Sequence, residues 1–495
     1  MNLEKLANRK FLLPATSWLF CFILGIIFYN QAIGSYFVAD SLVGVRLVWK
    51  DVYTELTDSQ FVFGYRPIGV AWFVFCNTIW GDFATGHHLM ALALHASNGM
   101  FLFLITFRLY KNMVPAIIAA IHFITFPIHV EAVQWLAATA GSVTSVFFFF
   151  LAAWIWLRPV NFPTKKQAYL SALFYLLALL TKEVSALLPL ILILFDWRFK
   201  RLKQLESVKH YFLWLLSYWP FAVSLVIYIA GYYFSGSFNH SFSNTTEGYS
   251  SFVGLLQRLD QFAYDILLPV SGFIEWRVGN LNWIWLIVFI VLLHWNKRSR
   301  LAFIVALMML FPGLFYYAER LTYLPMAFLS IGLAILFSNS FDFIHGIVKM
   351  NWIKLLLKSF MVTALVLLLV LNFRFVQRKL EPWKEAARLC KTIPEKVYQL
   401  VPIPLPGSQI ILVDMTISPG IPVSLWALFK EVEQYYKNEN VEIRQIYDGP
   451  DIENLINISS MPCKSERTRY FIKYFLESDS VGIITAKEAG VRCDL

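Results

Sequence analysis

The chain has 495 residues, 58% of them hydrophobic and 17% aromatic, with a mean hydropathy of +0.58 and a formal net charge of +10. Soluble domains run at about 45–50% apolar residues, so this composition excludes an ordinary water-soluble protein. The positive charge does not point to nucleic acid either, because the lysines and arginines sit in short clusters between apolar runs and form no basic face interleaved with aromatics.

In chain order, apolar runs nearly free of charge cover residues 11–29, 89–107, 136–157, 211–233 and 355–373. Each is near the ~20 residues that a helix needs to cross the hydrocarbon, where every backbone amide must be bonded internally. Lys5, Arg9 and Lys10 precede the first run, and no A-x-A-like cleavage site follows it, so it reads as a retained helix and not as a signal peptide. Basic clusters at residues 5–10, 108–111, 158–166, 198–209, 297–300 and 349–358 mark cytoplasmic loops by the positive-inside rule. Holding all of them on one side requires an even number of crossings between successive clusters.

That parity settles two ambiguous stretches. Residues 68–80, short, aromatic-rich and preceded by Pro67, lie in the outer interface, and residues 169–197 make two short crossings with Lys182 and Glu183 at the outer turn. The remaining pairs are 113–126 with 136–157, 211–231 with 281–295, and 301–316 with 321–337, and a last helix over 355–373 leads out. The expected fold is an all-α polytopic membrane protein of about 11 transmembrane helices with a large first outer loop and a cytoplasmic amino terminus.

Beyond residue 373 charged residues increase, and Pro402, Pro404, Pro406 and Gly407 mark a linker. Strand patterns at 409–413, 441–446 and 481–486, with an amphipathic helix over 423–436, predict a small α/β extracytoplasmic domain without a Gly-rich phosphate fingerprint. The domain reading is therefore a membrane-embedded domain 1–373, a linker 374–407 and a small domain 408–495. The five cysteines lack metal-ligand or CxxC spacing, and a Cys463–Cys493 disulfide is open to an exported tail.

With this topology one face collects Asp40, Asp51, Tyr65, Arg66, His87, His88, His129, Glu131, Trp135, Lys182, Glu183, Glu319, Arg320 and Tyr323. Acids, bases and imidazoles at helix ends on one side are what a substrate cleft needs, and ionisable groups at membrane depth are costly enough to suggest function. The competing account is an aromatic belt with snorkelling charges. The cytoplasmic clusters are nearly pure Lys and Arg, and this asymmetry favours the functional account.

The residues themselves carry a resemblance. The order Phe37-Val38-Ala39-Asp40, Tyr65-Arg66-Pro67, His88 with His95 and Asn98, P-x-H-x-E-A-V-x-W over 127–135, Lys182-Glu183, and Glu319-Arg320-Leu321-Thr322-Tyr323-Leu324-Pro325 resembles protein O-mannosyltransferase-like enzymes of the glycosyltransferase C superfamily. The likeness spans roughly residues 10–385 and is greatest to the transmembrane, tetratricopeptide-containing O-mannosyltransferases and their bacterial relatives. Three departures stand out. Ser41 follows Asp40 where such enzymes show a second acid, residues 137–142 lack an Arg-Asp pair, and the short α/β domain replaces the tetratricopeptide tail.

The resemblance implies transfer of a sugar from a polyprenyl-phosphate donor to a protein or glycan hydroxyl at the extracytoplasmic face, with inversion. Asp40 is then the candidate base, and Arg320 and Lys182 are the candidates for binding the donor phosphate, since a direct displacement needs one base and a cation for the leaving group. Arg66, His88, His129, Glu131, Glu183, Glu319 and Tyr323 would position substrate. No metal is assigned. Imidazole and carboxylate suit Zn or Mn, so His88, His129 and Glu131 could hold a divalent ion, although they are far apart in sequence. The implied partners are membrane lipid, the donor and the acceptor, with no nucleic acid. The absence of a tetratricopeptide array favours a bacterial inner membrane over the endoplasmic reticulum. A lipid-linked-saccharide transporter or flippase predicts midplane charges and similar halves, and neither is found; a catalytically inactive scaffold is the other alternative, prompted by the departures.

Overall fold

The computed structural model describes residues 12–58, 65–157, 163–198, 208–236, 252–268, 270–272, 284–295, 297, 299–311, 318–347, 350–413, 428–436, 439–447, 455–457, 468–475 and 478–485. Cys463, Cys493 and the first basic cluster lie outside them. Among the described residues, five helices are long and apolar enough to cross a membrane: Ala84–Tyr110, Leu136–Leu157, Trp214–Phe234, Tyr323–Ile344 and Asn351–Leu400. A bent pair, Met113–Thr125 with Pro127–Gln134, makes a sixth if counted as one span. The protein is an integral membrane protein, mostly helical, with a small carboxy-terminal sheet.

Contacts divide the chain into two compact units. The first comprises residues 1–30, 48–76 and 88–378, and the second residues 31–47, 77–87 and 379–495. The second unit thus joins two pieces of the predicted first outer loop to the carboxy-terminal segment.

In the first unit, helix Lys165–Leu179 opens with a reciprocal cap: Thr164 donates its backbone N–H to the Gln167 side chain at 2.9 Å, and the Gln167 N–H donates to Thr164 Oγ1 at 3.3 Å. The helix stops at Leu179, and a 3-10 turn over Glu183–Leu187 separates it from helix Leu188–Arg198, where two short crossings are expected. Helix Met113–Thr125 ends because Pro127 pushes Phe126 into an extended conformation (ψ 129°), and the chain bends by 48° before Pro127–Gln134.

A polar knot ties these helices together. His95 Nε2 lies 3.2 Å from the Ile124 carbonyl, which can only accept, so the neutral ring leaves Nδ1 to accept from the Tyr323 hydroxyl at 2.7 Å. Asn98 Nδ2 donates to the same hydroxyl at 3.1 Å and to the Val143 carbonyl at 3.0 Å. In an apolar surround such groups would be costly unpaired, so the knot sets the register of helices Ala84–Tyr110 and Tyr323–Ile347. Near the other end, Asp196 accepts from Trp156, Trp214 and Tyr218 at 2.8–3.2 Å.

Helix Asn351–Leu400 runs well past residue 373, through most of the predicted linker, although it contains Pro382 and Pro394. The reason is a buried stripe at helical spacing: Val376, Leu380, Trp383, Ala387, Cys390, Ile393 and Val397 are all nearly inaccessible. After it come strands β1 (Gln409–Val413), β2 (Glu442–Tyr447), β3 (Leu455–Asn457), β4 (Arg469–Phe475) and β5 (Ser480–Ile484), in the order β3-β2-β1-β4-β5. All pairings are parallel except β4–β5. Every residue of β1 is buried, as suits the centre of a mostly parallel sheet. Strands β3 and β4 are additions to the three expected. The first has three residues, too few for a pattern, and the second carries Arg469 and Lys473 within an aromatic run.

Tyr323→Phe removes both hydrogen bonds to the hydroxyl and is expected to lower stability by about 1–2 kcal/mol, read as a lower unfolding midpoint of the detergent-solubilised protein.

Candidate functional site

In the first unit the break at Pro127 turns residues 129–135 out of the preceding helix, and the Glu319–Leu321 turn meets them there. Glu131, nearly inaccessible, takes Arg320 twice: its Oε2 accepts the Arg320 backbone N–H at 2.9 Å, and its Oε1 binds the guanidinium. The guanidinium also lies over the Trp135 ring, 4.8 Å from the centroid. Arg320 belongs to a 3-10 turn, Glu319–Leu321, that leads into helix Tyr323–Ile347, with Pro325 tolerated in its first turn. A planar cation with its orientation set by a carboxylate and an indole can present a fork of donors to phosphate oxygens.

Lys182 lies in the turn after helix Lys165–Leu179. It is buried, its Nζ donates to Ser142 Oγ at 2.7 Å, and its aliphatic chain passes beside Gly141. Ser142 sits in a π-helical turn, Thr139–Val143, pinned by Thr139 Oγ1, which donates to the Ala132 carbonyl at 2.9 Å. Burial pushes the Lys182 amine down to about 7, with the Arg66 and Arg320 cations adding to the effect and Glu183 and Glu131 opposing it. Lys182 is therefore within electrostatic reach of two other cations and two carboxylates.

Arg66 completes the group. The Ile68 N–H donates to the Leu180 carbonyl at 3.1 Å, joining the Tyr65-Arg66-Pro67 segment to the Lys182 turn. The buried Glu55 carboxylate accepts the Arg66 N–H at 2.8 Å, and the Arg66 guanidinium reaches the half-exposed Glu183 at 3.4 Å. His129 is fully buried in an aromatic cage of Phe123, Phe126, His95 and Tyr323, with ring centroids 4.6–6.2 Å away. Tyr323 bonds to His95 and Asn98, as described above, and Arg320 is held by Glu131. His88 is buried on helix Ala84–Tyr110, and Glu319 adjoins Arg320 half-buried. Among the described residues no three His, Cys, Asp or Glu side chains converge on a metal position. Of the His88, His129 and Glu131 group, the Glu131 carboxylate is bound to Arg320.

In the second unit Asp40 is half-buried at the start of a short helix, Asp40–Gly44. Ala39, just before it, has φ 52° and ψ −130°, a strained conformation for a residue with a Cβ. Phe37 packs edge-on against His87, whose Nε2 bonds the Gly81 carbonyl at 2.9 Å. Three residues that sequence reading overlooked are Glu55, Ser142 and Glu431. Glu55 and Glu431 are acids on short amphipathic helices, where a carboxylate passes for a solvated one, and a lone Ser in an apolar run carries no periodic signal.

No family model matches the chain, and no curated protein matches it in sequence. Solved structures do. ArnT from Cupriavidus metallidurans in the apo state superposes with a TM-score of 0.50 and 12% identity, over 88% of this chain and 86% of that one. The chain shares the fold of that protein. Two further matches are ArnT bound to undecaprenyl phosphate, at a TM-score of 0.48, 11% identity and 88% and 87% coverage, and the Archaeoglobus fulgidus oligosaccharyltransferase AglB with an inhibitory peptide and dolichol-phosphate. The latter has a TM-score of 0.47 and 12% identity, over 86% of this chain and 64% of that one.

Glu131→Gln leaves the Arg320 cation largely buried without its counter-charge. It is expected to cost about 3 kcal/mol, seen as a drop in the unfolding midpoint that Arg320→Gln introduced alongside partly reverses.

Proposed function

We propose that this protein is an integral-membrane glycosyltransferase that moves a sugar, mannose by resemblance, from a polyprenyl-phosphate carrier to a hydroxyl of a protein or glycan on the extracytoplasmic side. The observation that carries the proposal is the gathering of Arg66, Lys182 and Arg320 at helix turns of the first unit, with Arg320 oriented by Glu131 and Trp135. A phosphate monoester leaving an anomeric carbon develops negative charge, and preorganised cations in a water-poor surround stabilise it more than water does.

The acceptor oxygen attacks C1 of the sugar as the bond from C1 to the phosphate oxygen breaks, which inverts the anomeric centre. Asp40 takes the hydroxyl proton, and the electron pair of the broken bond leaves with polyprenyl phosphate, held by Arg320 and Lys182. Glu131 and Glu319 orient Arg320, Glu183 orients Arg66, and Tyr323, His129 and His88 hold the helices that bear them. We read the topology as about eleven crossings, with the amino terminus cytoplasmic and the carboxy-terminal domain outside, in a bacterial inner membrane. The boundaries are a membrane domain 1–373, a linker 374–407 and an outer domain 408–495.

Purified protein in lipid, given polyprenyl-phosphate sugars, is expected to release polyprenyl phosphate. Asp40→Asn should lower that release by about 10²–10⁴-fold while the unfolding midpoint holds. Full turnover in this variant removes Asp40 from the mechanism. A silent wild type with every donor, donor binding intact, favours a transporter or scaffold.

Lys182 adds a pH dependence. Its amine, pushed down to about 7, is charged below that pH and neutral above it, so affinity for undecaprenyl phosphate is greatest at low pH. As pH rises beyond the free-state value, affinity should fall by about tenfold per unit, levelling where the phosphate-bound amine also loses its proton. Lys182→Met should bind weakly with this dependence flattened, which titrations between pH 6 and 9 would read.

A further inference from the structure

One buried carboxylate of the carboxy-terminal segment holds both ends of the loop that carries Asp40. Glu431, 6% exposed, lies on the short helix Phe429–Tyr435. Its Oε2 accepts the Tyr36 hydroxyl at 2.8 Å, and its Oε1 accepts Arg46 Nη2 at 2.9 Å. Arg46 is steadied on its other side by Asp82 at 2.6 Å. Tyr36 and Arg46 bracket a stretch that contains the strained Ala39 and, next to it, Asp40. A further anchor lies at the Arg46 end, where Asn77 Nδ2 donates to the Gly44 and Leu47 carbonyls at 3.0 and 3.1 Å.

A backbone conformation that costs about 1–3 kcal/mol persists only where its surroundings over-determine it. Here the strongest of the restraints is the charge-assisted pair of Arg46 with the buried Glu431 carboxylate. We propose that Glu431 is a positioning residue, which makes the carboxy-terminal domain a part of the catalytic apparatus: by clamping Tyr36 and Arg46 it holds Asp40 in its working conformation. This rests on the glycosyltransferase reading and assigns a task to a domain that the resemblance leaves without one. Glu431 touches neither the acceptor nor the donor in this account and acts through the loop alone.

The experiment uses full-length protein in nanodiscs, with sugar transfer and amide hydrogen exchange of residues 37–45 measured together. Glu431→Gln retains an oxygen to accept from Tyr36 but loses the charge that binds Arg46. It is expected to lower kcat about tenfold or more, with the donor KM nearly unchanged, and to quicken exchange in the loop by a similar factor. Because Arg46 acts through the same carboxylate, Glu431→Gln combined with Arg46→Gln should be scarcely worse than either alone. Glu433→Gln, on the same helix, should alter neither readout. Unchanged loop exchange in Glu431→Gln, or additive losses in the double variant, overturns the inference while leaving the glycosyltransferase reading intact. A wild type that transfers no sugar overturns that reading, and the catalytic task of the clamp with it.

Discussion

A carboxylate withdrawn from water is costly unless a cation or several hydrogen-bond donors reach it, and the Glu131–Arg320 pair meets that condition between two interruptions of helical structure. One is the bend at Pro127 and the other is the short turn before Tyr323. Neither would be stable as an isolated kink in an apolar surround, because each leaves polar backbone without helical partners. Joined through the pair, each supplies what the other lacks: Glu131 accepts an amide and a guanidinium, and Arg320 gains an indole face besides. The neighbouring knot of Tyr323, His95 and Asn98 continues the same logic one turn deeper, with neutral groups in place of charges.

The second unit solves a different problem with similar means. Its mostly parallel sheet is held by backbone ladders and by a polar row in which Gln409 bonds both Glu442 and Arg469 across three strands. The chain segments 31–47 and 77–87 belong to this unit although they are remote from the sheet in sequence. Hydrophobic contact alone would position such segments loosely, whereas directional bonds to Glu431 and Asn77 define them closely.

Much of the first unit was legible in the sequence because its signals are local. The helix over 113–126 was expected to end before Pro127, the Lys182-Glu183 interruption announced a turn between short helices, and long charge-free runs announced the helices. Strand Gln409–Val413 was equally plain, being wholly apolar apart from its first residue. What escaped were partnerships over long separations. Arg46 and Glu431 are 385 residues apart, and each looks like a solvated charge until the chain folds. Arg320 and Glu131 were both singled out, yet their mutual bond was not, since spacing carries no information about partners on different helices. The extension of helix Asn351–Leu400 past Pro382 and Pro394 was hidden by charges on its exposed side, which mask a buried stripe that residue-by-residue hydropathy averages away.

The π-helical turn at Thr139–Val143 has a consequence for the phase of the helix that contains it. A wide turn of this kind accommodates one surplus residue, so side chains before and after it point in directions that a regular helix of the same sequence would not combine. Ser142 can thereby meet Lys182 while Phe149, Phe150 and Trp156 still face the buried interior. The loss of one residue from this turn would give a better helix and a worse protein. Everything on one side of the deletion would rotate by about 100° relative to the other, and either the lysine or the core would lose its partner. Length, in this segment, is as much a specified quantity as residue identity.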